Sequence, residues 1–198
     1  MAREQRDWNQ DYAEGHTPWD KGMPSPALLE VIDKNGFNPA TELLVPGCGY
    51  GHDVAALAQA GFLATGMDLS ALALAEARSF NGVEGADYVL GDFFDPGPEG
   101  SKRYDAIWEH TCFCAIRPEQ RGRYVEAAHH WLKPGGVLIG VFFAFADDPD
   151  REGPPFKTNI ETIEEHFKER FILDWGRLPR ACYPGREGEE WLMSWRRV

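Results

Sequence analysis

Two hydrophobic periods take turns along this chain. Mostly apolar runs recur at Leu43–Val45, Phe62–Met67 and Val137–Phe145. Between them lie segments whose apolar residues fall every three or four positions, as in Val54–Ala60, Ala71–Phe80 and the set Tyr124, Val125, Ala128, Trp131 and Leu132. Short apolar runs bounded by turn residues suit buried strands, and the 3.6 period suits amphipathic helices. The pattern predicts strands over 42–46, 62–69, 86–90, 104–109, 137–145, 171–178 and 190–197. It predicts helices over 51–60 and 71–80, with Ser70 as the cap of the second. Another helix has Pro118 in its first turn and is stopped by Lys133-Pro134-Gly135-Gly136. The capping box Thr158-x-x-Glu161 opens a further one, with Ile160, Ile163 and Phe167 on one face. Two short helices, over 4–14 and 24–35, precede the first strand. The loop from Pro179 to Glu189 is too tight for a crossover helix, so the last two strands should be antiparallel. Alternation of this kind predicts an α/β, doubly wound sheet with ligands at the carboxyl ends of its strands.

Length and charge narrow the picture. The 198 residues suit one domain, a helical part over 1–36 followed by a core over 41–198. The formal net charge of −12 disfavours nucleic acid and anionic membrane as partners, because both demand a basic surface. No apolar run approaches the length of a membrane span. The first residues, Met1 to Asp7, lack the apolar core of a secretory signal. Four cysteines, Cys48, Cys112, Cys114 and Cys182, form no disulfide framework, and a cytoplasmic setting suits them. Cys112-x-Cys114 lacks the second pair that a zinc site needs, so no metal is expected and buried thiols are the simpler account.

Candidate chemistry centres on Val45-Pro46-Gly47-Cys48-Gly49-Tyr50-Gly51-His52-Asp53. A strand, a glycine turn and a helix follow one another there. Backbone without side chains can approach a ligand, and a new helix presents unpaired N–H groups. Asp68 ends the next predicted strand, where a carboxylate can accept hydrogen bonds from both hydroxyls of a ribose. The third glycine comes one residue too early for a dinucleotide fingerprint, whose position is taken by His52. There is no G-x-x-x-x-G-K-[ST], so a P-loop is excluded. G-x-G-x-G with a following acidic strand end is the pattern of S-adenosylmethionine-dependent methyltransferases.

The chain resembles the thiopurine methyltransferase family, and within it the halide and thiol methyltransferase branch. The resemblance rests on Trp8-x-x-x-Tyr12, Gly15-x-Thr17-Pro18-Trp19-Asp20, Leu44-Val45-Pro46-Gly47-Cys48-Gly49-x-Gly51-His52-Asp53 and Gly91-Asp92-Phe93-Phe94. It continues through Phe113-Cys114-Ala115-Ile116-x-Pro118, Leu132-Lys133-Pro134-Gly135-Gly136 and Gly153-Pro154-Pro155-Phe156. It implies a class I, Rossmann-like sheet of seven strands, mostly parallel, with a C-terminal antiparallel hairpin, helices on both faces and an N-terminal helical lid. It implies S-adenosylmethionine as cofactor and a small-molecule nucleophile as substrate. Trp8, Tyr12 and Trp19 would pack around the cofactor, Gly47, Gly49, Asp68 and Leu69 would bind it, and Asp92 and Phe93 would flank its adenine. From spacing alone, Trp8 and Tyr12 share one helix face and serve equally as a lid or as a staple. Two departures stand out. Tyr12 replaces a second tryptophan common in the family. Glu109-His110-Thr111-Cys112-Phe113-Cys114 replaces the segment in which plant members carry a tyrosine before Phe-Phe-Cys-Ala-Ile.

Methyl transfer from a sulfonium needs positioning and desolvation above all. A thiol with a pKa near 8.5 is already a few per cent ionised at neutral pH, so no strong base is compulsory. His110 is the candidate catalytic base, since an unperturbed imidazole with a pKa of about 6.5 suits that task. The alternatives are a neutral histidine hydrogen-bonded at a strand end, or a backbone contact to the cofactor. Glu109 either binds the cofactor's methionine amino group or pairs with an arginine. Asp68 at a strand exit is expected to contribute little to packing, and the acidic run 147–150 to be a solvated turn. Bulky side chains at Trp19 and Phe113 are expected to leave a small dry acceptor pocket.

Overall fold

The computed structural model describes residues 6–33, 37, 41–98, 103–144, 153–156 and 158–198. Seven strands form one sheet: β1 (Glu42–Pro46), β2 (Leu63–Asp68), β3 (Ala86–Leu90), β4 (Tyr104–His110), β5 (Leu132–Phe143), β6 (Phe171–Arg177) and β7 (Glu190–Arg197). Their spatial order is β3-β2-β1-β4-β5-β7-β6. Strands β1 to β5 pair in parallel. β7 lies between β5 and β6 and is antiparallel to both, so it alone opposes the rest. The expected antiparallel pair is therefore present, with the last strand inserted inside the sheet.

Alternation along each strand sorts the core to two faces. Leu43 and Val45 of β1 join Trp108, Ile139 and Val141 beneath α2 (Pro26–Asp33), α3 (His52–Gln59) and α4 (Ala71–Asn81). Leu44, Ile107, Leu138 and Phe142 point the other way, to α5 (Arg121–Trp131) and α6 (Ile160–Phe167). Gly66 of β2 permits the close approach of α3: a Cβ there would sit 2.7 Å from Cys48 Sγ and 2.9 Å from Val54 Cγ2. Among the described residues no helix is long and apolar enough to cross a membrane.

Several boundaries differ from the pattern, each for a local reason. The first helix is α1 (Trp8–Ala13), not 4–14, because the Asp7 carboxylate accepts from Gln10 N and caps it; residues 4 and 5 lie outside the described residues. α2 starts at Pro26 rather than Pro24, which places a proline in the first turn, where its missing N–H costs nothing. Residues 34–36 lie outside the described residues. Pro118 opens a 3-10 turn, Pro118–Gln120, before α5. α6 is capped by Asn159, whose side chain accepts from Thr162 N at 2.8 Å, and not by Thr158. Amide and hydroxyl compete for the same job, and here the residue one place later wins. The acidic run 147–150 and Phe145 lie outside the described residues.

Candidate functional site

The order β2-β1-β4 places a topological switch between β1 and β4, whose connections leave in opposite directions. A crevice opens at the carboxyl ends of strands around such a point. Gly47 after β1, Asp68 at the end of β2 and Thr111 after β4 all line one cavity of about 610 Å³. That volume lies in the range of ligand sites.

The glycine turn is held from beneath. Gly47 has φ +59° and Gly49 φ +53°, in the left-handed region that glycine enters without strain. A Cβ on Gly47 would meet Cys112 Sγ at 3.3 Å, and one on Gly49 would meet the Tyr12 hydroxyl at 2.8 Å. Asp68 is the peg of this turn: Oδ2 accepts from Gly49 N at 2.9 Å and Oδ1 from Ser70 N at 2.9 Å. Burial pushes the Asp68 carboxyl upward, although the N–H groups of Ser70, Gly49 and Leu69 oppose that. The expectation that Asp68 contributes little to packing is thus corrected. Its carboxylate holds the turn and faces the cavity as well.

The N-terminal segment is both staple and cover. Asn9 Oδ1 accepts from Ser70 Oγ at 2.9 Å and from Leu72 N at 3.3 Å, which docks α1 on the start of α4. Trp19 stands edge-on to Trp8 and Tyr12, at 5.4 and 5.8 Å between centroids, and its indole N–H donates to the Tyr12 hydroxyl at 3.2 Å. The Arg6 guanidinium lies 4.6 Å from the Trp8 ring centre and 5.2 Å from that of Trp19. All three rings line the cavity.

The turn after β4 forms the opposite wall. Thr111 has φ +61°, uncommon for a β-branched residue and costly enough to mark a functional segment. Beneath it, Glu109 is fully buried; Oε1 accepts from Phe113 N at 2.8 Å and Oε2 from the Tyr124 hydroxyl. Burial pushes its carboxyl upward. Cys112, Cys114, Ala115 and Ile116 line the cavity, with Pro154 and Pro155 beside them. Phe156 N donates to Cys114 O at 2.7 Å and ties that second segment down. Burial pushes the Cys112 thiol well up and the Cys114 thiol up to about 12, so both stay protonated at neutral pH. The loop before β7 adds Pro184, Gly185, Arg186 and Glu189. Arg186 pairs with Glu190 at 3.0 Å and lies 5.1 Å from the Phe143 ring centre.

Of the residues singled out in the sequence, Trp8, Tyr12, Trp19, Gly47, Asp68, Leu69, Asp92 and Phe93 meet around this cavity. Gly49 and His110 line an adjoining cleft of about 70 Å³, which shares Tyr12, Trp19 and Gly47 with it. Glu109 lines neither; its carboxyl is spent on Phe113 and Tyr124, not on an arginine. Phe113 is in the core against Tyr124 and Phe142, so the acceptor side is shaped by its neighbours instead. His110 Nδ1 lies 2.8 Å from Asp53 Oδ2. Burial alone would lower the His110 pKa, but the Asp53 carboxylate outweighs it and the net direction is upward. The carboxylate on Nδ1 favours the protonated ring, the form that cannot accept a proton. Lys21, Arg186 and Glu189 carried no sequence signal, because they lie in loops without periodicity or motif.

The groups present fit an adenosine-type methyl donor. A cradle that a Cβ would fill, a buried carboxylate at its rim and aromatic rings around it are brought together in one space. Comparison with known proteins points the same way. Residues 3–175 match the family model described as Thiopurine S-methyltransferase (TPMT). The chain is 34% identical over 204 residues to Thiocyanate methyltransferase 1 of Arabidopsis thaliana, covering 98% of this chain and 86% of that protein. It is 33% identical over 162 residues to the Probable thiol methyltransferase 2 of the same plant, covering 80% and 70%. Among solved structures, the 1,6-didemethyltoxoflavin-N1-methyltransferase of Burkholderia thailandensis, with bound 1,6-didemethyltoxoflavin and S-adenosylhomocysteine, superimposes with a TM-score of 0.72. It is 22% identical, and the match covers 96% of this chain and 84% of that one.

Proposed function

Because the chain belongs to the thiopurine S-methyltransferase family, a family of S-adenosylmethionine-dependent methyltransferases, we propose that its acceptor is a small soft nucleophile: a thiol, thiocyanate, hydrosulfide or halide. The observation that carries this is the acceptor side of the cavity. Ile116, Phe143, Pro154 and Pro155 make it apolar, and Arg186, paired with Glu190 and beside Glu189, stands at its edge. An acceptor that arrives as a weakly hydrated anion suits both features.

S-adenosylmethionine, when bound, supplies a methyl group made electrophilic by the sulfonium. Gly47 would give it close backbone, and Asp68 would offer a carboxylate to the ribose hydroxyls. Trp8, Tyr12 and Trp19 would wall it with aromatic surface. Asp92 and Phe93 would flank the purine. His110, standing in the neighbouring cleft against Asp53, is not needed as a base for thiocyanate or a halide, which enter already ionised. The protonated Cys112 and Cys114 thiols do not compete as nucleophiles.

The test is a panel of acceptors with S-adenosylmethionine, products being read by mass spectrometry. Methylated thiocyanate, hydrosulfide, iodide or alkyl thiol is expected, with a higher kcat/KM than for a thiopurine. A thiopurine that outperforms them all would overturn the substrate class. Absence of methyl transfer to every acceptor, with S-adenosylhomocysteine still bound, would favour a non-catalytic binding module.

A further inference from the structure

Two remote stretches of chain roof the cavity, and they touch. Tyr183, in the loop before β7, donates from its hydroxyl to Met23 O at 2.8 Å, in the stretch that leads from Trp19 and Lys21 to α2. Directly under this contact lies a buried charge pair. Asp53, in the first turn of α3, accepts from Ser25 N at 2.7 Å through Oδ1. Through Oδ2 it takes the Trp108 indole N–H and His110 Nδ1, both at 2.8 Å. The His110 ring stacks on Tyr183, with centroids 5.9 Å apart and planes at 22°. Tyr183 in turn lies 5.6 Å from the Arg186 guanidinium, which reaches the cavity. Among the described residues His110 Nε2 is buried without a hydrogen-bond partner, so the ring is oriented through Nδ1.

We propose that the Asp53–His110 pair is a positioning device for methyl transfer: it anchors both covers of the cavity where they meet, the N-terminal stretch through Ser25 and the β6–β7 loop through Tyr183, and so sets acceptor affinity. This rests on the methyltransferase reading above. Asp53 is a positioning residue that acts through its partners, since it does not line the large cavity.

The pair also gives the anchor a pH range. His110 faces Asp53 from α3, Glu190 from β7, Arg186 and Tyr183 from the loop, and Glu109 on its own strand; Asp20, Lys21 and His52 border the same cleft. The carboxylates outweigh burial and Arg186, so the imidazolium persists above its ordinary 6.5. Its contribution is complete below 6.5 and is lost as pH rises through the elevated value. The Asp53 pKa is held below 3.8: burial opposes this, and His110, Ser25 and Trp108 outweigh it. Its contribution is present above 3.8 and is lost only as pH falls through that lowered value. The anchor therefore loosens on the alkaline side.

The experiment uses thiocyanate as acceptor, because it does not titrate in this range. In the wild type, KM for thiocyanate should climb as pH rises above the ordinary imidazole value of about 6.5. His110→Gln should raise that KM roughly five- to tenfold and abolish the climb, with kcat and the Kd of S-adenosylhomocysteine little changed. Tyr183→Phe keeps the ring but drops the bond to Met23; it should raise KM and keep the climb. Amide hydrogen exchange over residues 17–25 and 180–189 should quicken in both variants. Unaltered KM and exchange in both would overturn the proposal, as would a wild-type KM that stays flat at every pH above 6.5. A loss of S-adenosylhomocysteine affinity as large as the rise in KM would overturn it too, by making His110 a cofactor contact. If His110→Gln does not fold, Tyr183→Phe and the wild-type profile decide. If no acceptor is methylated, the functional reading fails while the exchange measurement still tests the anchor.

Discussion

Asp68 shows how one side chain can serve fold and ligand together. Both oxygens already accept backbone N–H groups, from Gly49 and Ser70, and lone pairs remain for hydroxyls on the cavity side. Truncation would leave those donors without an acceptor in a buried place, which costs about 1–3 kcal/mol. Asp68→Ala should therefore lower the unfolding free energy in urea by that amount. It should also weaken S-adenosylhomocysteine by roughly 1.5–3 kcal/mol, measured by calorimetry. Asp68→Asn, which keeps one carbonyl oxygen, should recover part of the stability and little of the binding. An unchanged dissociation constant in Asp68→Ala would reduce Asp68 to a turn residue.

Among the elements, α1 and α4 form a junction worth testing. Ser70 caps α4 through Ala73 N at 3.1 Å, and the same hydroxyl donates to Asn9 of α1. Ser70→Ala should cost about 1 kcal/mol as a lost cap. Combined with Asn9→Ala, the double-mutant cycle should show a positive coupling of roughly 0.5–1 kcal/mol in stability, since the two share one bond. Additive effects would mean that the docking of α1 does not depend on this contact. Such junctions also show what the sequence reveals. β1, β3 and β7 end where the pattern places them, β1 and β7 because a buried strand is marked by its own apolar residues. The glycine turn and Asp68 are equally local, and eight of the expected cofactor residues converge on the cavity. What stayed hidden depends on pairing across the chain. His110 finds Asp53 57 residues away, and Glu109 finds Tyr124, neither of which any spacing predicts. Phe113 enters the core while Cys112 beside it lines the cavity, in a turn where Thr111 has a positive φ that no periodicity announces. Arg186 sits in a loop whose route is fixed by Tyr183 on Met23, not by any motif.

At the scale of the whole molecule the net charge opposes the proposed chemistry. At −12 the protein repels an anionic acceptor at long range, and at the cavity Arg186 and Lys21 stand among Asp68, Asp92 and Glu189. Raising ionic strength from about 0.01 M to about 0.15 M shortens the screening length from ~30 Å to ~8 Å. The kcat/KM for thiocyanate should therefore rise with salt, by roughly two- to fivefold, while a neutral acceptor stays flat. A fall with salt would mean that the local cations govern the approach. The bond between the two covers has another consequence, in time rather than in space. Its partners are 160 residues apart in the chain, so the roof closes only after the sheet between them has brought its ends together. Contacts of such separation form late, because loop closure must precede them. Enzymatic activity should then be the last signal to return when denatured protein is diluted into buffer. Helical circular dichroism should recover first, the burial of Trp108 and Trp195 next, and turnover with the slowest phase.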